Sequence, residues 1–236
     1  KKTKTTEKIK EEKEIKSSRI KMPLPEEMLK AGVHFGHRAS KWNPKMESYI
    51  FMTRNNVHII DLEKTNEKLE EALRFLQKIK EEKGIVLFVG TKISAKKIIE
   101  EAAKECGMPY VNERWLGGTL TNFSVLAKRL EYLKELEKKK ETGELEKYTK
   151  KERHEIDIEL RKLNQKFGGI KEMTKLPDAL FISDIREDSL AAKEAKRKDI
   201  PTVGLCDTNT DPSTVDYPIP ANDDASSSLR LMVGAV

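Results

Sequence analysis

Residues 85–90 read Ile-Val-Leu-Phe-Val-Gly, and this stretch decides the fold of the chain. Its five apolar residues show no polar alternation, which is typical of a strand covered on both faces. Helical periodicity follows over residues 94–106, and Gly107 is a suitable C-terminal stop. A short strand is then predicted at Tyr110-Val111. A buried strand, a helix and a second strand in this order indicate a parallel sheet with a helical cover.

The same order of elements returns further along the chain. A strand is predicted over residues 179–183, a helix over 188–198 and another strand over 202–206. Upstream, the sequence predicts a short helix over 26–31 and an amphipathic helix over 61–83. Between them, β-rich runs over 49–53 and 57–60 flank a turn sequence at 54–56, which predicts a hairpin or a bent strand. Buried strands that alternate with helices predict an α/β fold in three layers, with a parallel sheet between two layers of helices.

A segment of different composition and periodicity lies between the two halves of the predicted sheet. Apolar residues recur there at spacings of three and four on a background dense in Lys and Glu: Phe123, Leu126, Leu130 and Leu133, then Ile156, Leu160, Leu163 and Phe167. This pattern predicts an antiparallel coiled-coil hairpin. We therefore divide the chain into a flexible basic arm (1–21), an α/β domain (22–120 and 170–236) and an inserted hairpin (121–169). Such a hairpin is either a partner-binding arm or a stiffener.

The positive charge of the chain is concentrated at its beginning. The formal net charge is +6, and residues 1–21 contain nine Lys or Arg against four Glu. The remaining residues are nearly neutral, so binding of nucleic acid would require local patches. We hypothesise that the arm follows RNA or a neighbouring protein and becomes ordered on binding.

The chain contains two cysteines, and its apolar runs are short. Cys106 and Cys206 lack metal-type spacing, which favours reduced thiols in a cytoplasmic protein. The longest apolar run, residues 85–89, is far shorter than the roughly 20 residues of a membrane span. No membrane segment is therefore predicted.

A paired-glycine loop precedes the predicted hairpin. Residues 114–122 read Arg-Trp-Leu-Gly-Gly-Thr-Leu-Thr-Asn. The glycines permit positive φ, Thr121 is a candidate helix cap, and free amides at a helix start suit an anion such as phosphate. Under the alternative interpretation, the loop only connects two elements of secondary structure and Trp115 is a core anchor.

A second candidate anion site follows the strand over residues 85–90. Gly90-Thr91-Lys92 precedes a helix whose first turns carry Ser94, Lys96 and Lys97. Amides, hydroxyls and cations at the carboxyl end of a parallel strand suit phosphate. The spacing of a Walker loop is absent, and so is a Gly-x-Gly-x-x-Gly fingerprint. We therefore predict that no nucleotide cofactor is required.

Carboxylates and imidazoles also gather at this edge. Asp184 follows one predicted strand, Asp207 and Asp211 follow another, and His34 and His37 stand three residues apart. His37, Asp207 and Asp211 are candidate ligands of a divalent ion such as zinc or magnesium. In the alternative interpretation, Asp-rich turns satisfy their own backbone.

Cations alternate with rings over residues 38–54. Cations meet backbone phosphate and rings stack on splayed bases, so this mixture is typical of irregular RNA recognition. The alternative is a solvated loop with Trp42 packed inside. The full set of predicted RNA-contacting residues is Arg38, Lys41, Trp42, Lys45, Arg54, Lys92, Lys96, Lys97, Arg114 and Trp115.

Seven ordered motifs taken together resemble one family, ribosomal protein S2 of the bacterial small subunit. They are residues 31–37 (AGVHFGH), 42–46 (WNPKM), 57–61 (VHIID), 87–92 (LFVGTK), 114–122, 176–180 (LPDAL) and 207–211 (DTNTD). The resemblance implies a flavodoxin-like three-layer domain with a protruding coiled-coil hairpin. It also implies a structural, non-enzymatic protein of the small ribosomal subunit in the cytoplasm, with no small-molecule substrate. Its implied partners are ribosomal RNA between head and body, neighbouring ribosomal proteins and the large messenger-capturing one.

Two other functional classes remain as alternatives. One is a phosphosugar-binding, isomerase-like enzyme that would use Gly90-Thr91-Lys92 for phosphate and Asp184 or His34 for proton transfer. The other is an adaptor whose hairpin recruits another protein. Saturable binding of a sugar phosphate would favour the enzyme, and loss of a partner on removal of the hairpin would favour the adaptor.

Overall fold

A computed structural model describes residues 22–236, so the predicted basic arm lies outside the described residues. The elements alternate between strands and helices along most of this range. In chain order they are α1 (Pro25–Ala31), β1 (Phe35–Arg38), β2 (Ile50–Arg54), β3 (Val57–Ile60), α2 (Leu62–Glu81), β4 (Val86–Val89), α3 (Ile93–Cys106), β5 (Tyr110–Val111), α4 (Phe123–Glu141), α5 (Lys150–Phe167), β6 (Ala179–Ile182), α6 (Ser189–Arg197), β7 (Thr202–Cys206), β8 (Tyr217–Pro220) and α7 (Ser226–Ala235).

Five parallel strands form the central sheet in the order β5-β4-β6-β7-β8. This corresponds to the 2-1-3-4-5 order of flavodoxin-like sheets. The α/β prediction is therefore confirmed. The strand order reverses between β4 and β6, so their carboxyl ends flank the crevice where such folds usually bind ligands. The sequence analysis missed β8, because its two prolines, Pro218 and Pro220, are compatible only with an edge strand.

The sheet has an apolar cluster on each face. Leu87 and Val89 of β4 join the cluster beneath α4, α5 and α6, whereas Val86 and Phe88 join the cluster beneath α1, α2, α3 and α7. Every residue of β4, β6 and β7 is buried, as the unbroken apolar runs predict. Among residues 22–236, the structure contains no helix of the length and apolarity that a membrane span requires.

A smaller antiparallel sheet, in the order β1-β3-β2, precedes the main one. Asn55 and Asn56 join β2 to β3 with φ of 49° and 62°, as a two-residue type I′ turn requires. The two β-rich runs predicted over 49–53 and 57–60 are therefore confirmed, and they form a β-hairpin. The pairing shifts register between Ile50 and Met52, which marks a bulge in β2. The sequence analysis did not predict β1.

Helices α4 and α5 run antiparallel beside each other. Lys140 pairs with Asp157 at 2.7 Å, and Asn164 donates to Glu137 at 2.9 Å. The buried leucines of α4 and the buried face of α5 belong to one core cluster. Thr149 and Glu152 form a capping box that begins α5. The coiled-coil geometry and the division of the chain into three parts stay predictions.

Candidate nucleic-acid interface

Lys92 lies among carboxylates at the crevice between β4 and β6. Its Nζ is 2.9 Å from Asp184, 2.8 Å from Asp223 and 2.7 Å from Asp224. Burial by itself would lower the pKa of Lys92, but hydrogen bonds to Asp223, Asp224 and Asp184 raise it above its ordinary value. This ammonium is therefore already neutralised, and it is not free to hold a phosphate.

The crevice as a whole favours protons and cations. Burial, with the nearby charges of Asp184 and Asp207, raises the pKa of Asp223 to about 7, and Lys92 opposes this rise. A phosphate placed here would face several carboxylates. The predicted RNA contact through Lys92 therefore finds no support in the geometry.

The structure brings together two of the three predicted metal ligands. His37 Nδ1 lies 3.1 Å from Asp207 and His37 Nε2 lies 3.3 Å from Asp224, and these three residues offer ligand atoms within 4.8 Å of one another. Asp211 lies elsewhere, because it binds Lys45 Nζ at 2.6 Å and accepts from Ser213. Asp224 takes its place, and the sequence analysis missed it because it follows the unpredicted strand β8.

The donor set of this cluster fits a divalent ion. One imidazole and two carboxylates are ligands that zinc accepts in open sites. The pKa of His37 is raised above its ordinary value, mainly by the hydrogen bond with Asp207. The partial burial of the imidazole opposes this rise. Lys92 competes for Asp224, since its ammonium lies 2.7 Å from that carboxylate.

The anion held by the paired-glycine loop is an internal carboxylate. Glu194 Oε1 accepts from Trp115 Nε1 at 3.2 Å and from Gly118 N at 2.7 Å. Its Oε2 accepts from the Leu120 and Thr121 amides and from the Thr121 hydroxyl, at 3.0 to 3.1 Å. Burial would raise the pKa of Glu194, but these hydrogen bonds lower it below its ordinary value. The predicted phosphate site is therefore filled from within the chain.

The surroundings of this loop correct two expectations. Trp115 is only 7% exposed, so it is the core anchor of the alternative interpretation and has no free face for a base. Thr121 does not cap α4, because its hydroxyl binds Glu194 and Asn122 holds the N-cap position without a side-chain bond. Arg114 remains exposed.

The two predicted cations at the start of α3 differ in exposure and in ion pairing. Lys96 pairs with Glu113 at 2.8 Å and is half-buried. Lys97 is 84% exposed and lies 3.8 Å from Glu101, one helical turn away. Surface pairs of this kind contribute little energy, so Lys97 stays available to a partner.

Residues 38–49 pack against the loop that follows β7. Asn43 N donates to the Thr208 carbonyl at 2.8 Å, and the Asn43 side chain caps the 3₁₀ turn Pro44–Tyr49. Met46 anchors this turn in the core. Trp42 is 37% exposed, and its ring centroid is 5.4 Å from that of His58. The segment is therefore folded and not merely a solvated loop, while one face of Trp42 stays accessible.

Three predicted RNA-contacting cations over residues 38–54 have no carboxylate partner within residues 22–236. They are Arg38, Lys41 and Arg54, and all three are exposed. Lys45 differs from them, because Asp211 neutralises it.

The outer face of the small sheet adds residues that the sequence analysis missed. Directly paired residues project to the same face of a sheet. Phe35, Ile59 and Met52 form one row across the strands, and Arg38, Val57 and Arg54 form the next. Phe35 and Met52 are each 50% exposed. We call these six residues the outer sheet face; it combines accessible apolar side chains with two arginines that form no ion pair within residues 22–236.

The fold and this surface define a class: an α/β protein with a 2-1-3-4-5 sheet, a carboxylate-lined crevice and a basic, partly aromatic face on a small antiparallel sheet. Residues 28–236 match the family model described as ribosomal protein S2. The small ribosomal subunit protein uS2 of Fusobacterium nucleatum subsp. nucleatum is 51% identical over 211 residues, which cover 89% of this chain and 85% of that protein. The chain belongs to the ribosomal protein S2 family.

Proposed function

We propose that the protein is a structural, non-catalytic component of the small ribosomal subunit in the cytoplasm. In this role it binds ribosomal RNA between head and body and contacts neighbouring ribosomal proteins. Membership of the ribosomal protein S2 family supports the assignment to the subunit. The observation that carries RNA binding is the outer sheet face with Lys41 and Trp42 beside it.

The chemistry of this face suits irregular RNA. Arg38, Lys41 and Arg54 are exposed cations that can reach phosphates. Phe35 and Trp42 offer accessible rings on which unpaired bases can stack. Arg114 and Lys97 are further exposed cations that would add to the contact.

The crevice gives physical reasons to prefer this function over the isomerase-like alternative. Lys92 is held by three carboxylates, which would repel a sugar phosphate. The amides of residues 118–121 are likewise occupied by Glu194. Neither predicted phosphate site is therefore free to bind one.

The family also leads us to propose that the protein helps dock the messenger-capturing ribosomal protein. The exposed side of α4 suits protein contact, because Val125 and Tyr132 are exposed apolar side chains among many charged ones. In this view the hairpin is the partner-binding arm of the sequence analysis.

The proposed RNA contact is tested by co-sedimentation with small subunits depleted of their S2-family protein, across a salt series. The wild-type chain should bind stoichiometrically, and its affinity should fall steeply with salt. The reason is that Arg and Lys displace counterions from the RNA phosphates, and added salt opposes this release. The double variant Arg38→Ala/Arg54→Ala should bind about tenfold more weakly, with a salt slope smaller by about 2.

A matched control removes two cations from the opposite helical layer. Lys78 and Lys80 of α2 are exposed, and neither forms an ion pair in the described part of the chain. Lys78→Ala/Lys80→Ala should bind like the wild type. Equal losses in the two double variants would contradict a specific contact at the outer sheet face, and no binding by the wild type would overturn the ribosomal assignment.

We also propose that His37, Asp207 and Asp224 bind a divalent ion, zinc or magnesium, which the fold itself does not require. Titration of the metal-stripped full chain with zinc should show one site. His37→Ala should abolish it, whereas Asp211→Asn should leave it intact, because Asp211 lies with Lys45 and outside the cluster. Equal binding by His37→Ala and the wild type would rule this site out.

A further inference from the structure

A cleft of about 530 Å³ lies beside α6 at the carboxyl edge of the main sheet. One wall is formed by the turn after β6 and by α6, and the other by the loop that follows β7. It is separate from the crevice around Lys92, which lies between β4 and β6. The outer sheet face does not contribute to its walls.

One face of α6 turns two cations toward this cleft. Ser189, Lys193 and Lys196 line it at positions i, i+4 and i+7, which share a face of a helix. Arg186 joins them from the preceding turn. Arg186, Lys193 and Lys196 are exposed, and none of them forms an ion pair within residues 22–236. The cleft is therefore strongly positive.

The one carboxylate that lines the cleft is already neutralised. Asp211 also lines the cleft, but it binds Lys45 Nζ at 2.6 Å and accepts from the Ser213 hydroxyl and amide. The carboxylate of the α6 residue Glu194 is held by the loop over residues 115–121. Neither acid is available to the three cations.

The opposite wall supplies neutral hydrogen-bond donors. Asn209 Oδ1 accepts from the Thr210 hydroxyl at 3.0 Å, which leaves the Asn209 amide hydrogens for a ligand. Ser189 offers a hydroxyl from the α6 wall. Cations mixed with hydroxyl and amide donors are the groups that contact phosphate oxygens and sugars in nucleic-acid complexes.

We infer that this cleft binds the phosphodiester backbone of an RNA strand and forms a second RNA contact besides the outer sheet face. This inference rests on the proposed RNA-binding function. The two contacts adjoin through residues 43–45, because Asn43 binds Thr208 and Lys45 binds Asp211. An acidic protein segment fits less well, since protein interfaces usually need apolar anchors and Ile185 and Ala192 are the only apolar residues among the eleven that line this cleft.

The test compares Lys193→Ala/Lys196→Ala with the Lys78→Ala/Lys80→Ala control. The probes are full-length small-subunit ribosomal RNA and a polyglutamate peptide. The cleft variant should bind the RNA about tenfold more weakly, with a salt slope smaller by about 2, because two phosphate contacts are lost. The control variant should bind like the wild type. Alanine suits a helix interior, and equal urea midpoints would confirm that both variants are folded.

The outcomes separate this inference from the function on which it rests. If the wild type fails to bind the RNA, the proposed function fails. If the wild type binds and the cleft variant has the same affinity and salt slope, RNA binding stands and the cleft assignment is overturned. Loss of polyglutamate binding with unchanged RNA binding would also overturn it, and would assign the cleft to an acidic protein partner.

Discussion

The carboxylate of Glu194 organises the loop between β5 and α4 through five hydrogen bonds. Three of the donors are the backbone amides of residues 118, 120 and 121, which are buried or partly buried. The same loop positions Trp115 in the core and Arg114 at the surface. A single buried acid therefore holds the loop that carries both residues.

Replacement of Glu194 by Gln should destabilise the protein by about 2–3 kcal/mol. The glutamine NH₂ group would face N–H and O–H donors of the loop in place of a carboxylate oxygen, and those donors would lose their acceptor. Urea unfolding of the full chain would measure this change. Glu187→Gln, at an exposed position of the turn before α6, is the matched control and should change stability by less than about 0.5 kcal/mol. Equal stabilities of the two variants would contradict the anchoring role of Glu194.

Asp188 links stability to pH. Burial raises its pKa from 3.8 to about 6, although Thr91 donates two hydrogen bonds to it. Because the folded state holds this proton more tightly than the unfolded state, the stability from protonation is full below pH 4 and is lost as the pH rises through 6. Urea unfolding at pH 4.5 and 7.5 should show that Asp188→Asn gains on the order of 2–3 kcal/mol relative to the wild type at the higher pH. A constant difference between the two proteins would contradict this linkage.

The small sheet is the element on which the proposed RNA contact depends. Its turn holds Asn55 and Asn56 at positive φ and so sets the register that pairs both Arg38 and Arg54 with Val57. A register slip by one residue would exchange the two faces of a strand. The turn therefore positions the cations without touching a partner.

Substitutions at Asn56 should show whether the turn conformation is needed for RNA binding by the outer sheet face. Asn56→Val forces a β-branched residue into a left-handed conformation and should lower stability by about 1–2 kcal/mol. Asn56→Gly should keep wild-type stability, because glycine adopts this conformation freely. Thermal unfolding and RNA binding would be measured together. If Asn56→Val bound depleted subunits as well as Asn56→Gly, the turn would not be needed to position the arginines.

At the scale of the whole molecule, the net charge is unevenly distributed along the chain. Residues 1–21 carry nine of the 46 Lys and Arg against four Glu, which leaves the remainder of the chain nearly neutral. Two apolar clusters, one on each face of the sheet, hold the body together. General attraction to RNA and specific contact should therefore reside in different parts of the chain.

Removal of residues 1–21 should test this segregation. The shortened chain should lose most of its affinity for nonspecific RNA, with a smaller salt slope, because it lacks a net charge of +5. Its binding to depleted small subunits should persist, because the outer sheet face is retained. Filter binding to polyuridylate and co-sedimentation would measure the two effects. Unchanged polyuridylate affinity would show that the arm does not contribute general attraction.

The sequence alone determined the α/β class, the Asn55-Asn56 hairpin and most helix bounds, because these follow from local periodicity and turn chemistry. The apolar run at residues 86–89 predicts a strand that is buried on both faces in any parallel sheet. The family followed as well from seven motifs in order, and the match over residues 28–236 confirms it. Local patterns were sufficient wherever a residue's neighbours along the chain set its environment.

Only the tertiary structure decided how charges are paired. Glu194 reaches the 115–121 loop across more than 70 residues, and Lys92 meets Asp223 across 131. These partners convert two expected phosphate sites into internal ion and hydrogen-bond networks. Strands β1 and β8 were likewise settled by pairing, and with them the exposed row of Phe35 and the placement of Asp224. An ion's availability depends on the charges within a few ångströms of it, and for these residues the packing of distant segments supplies those charges.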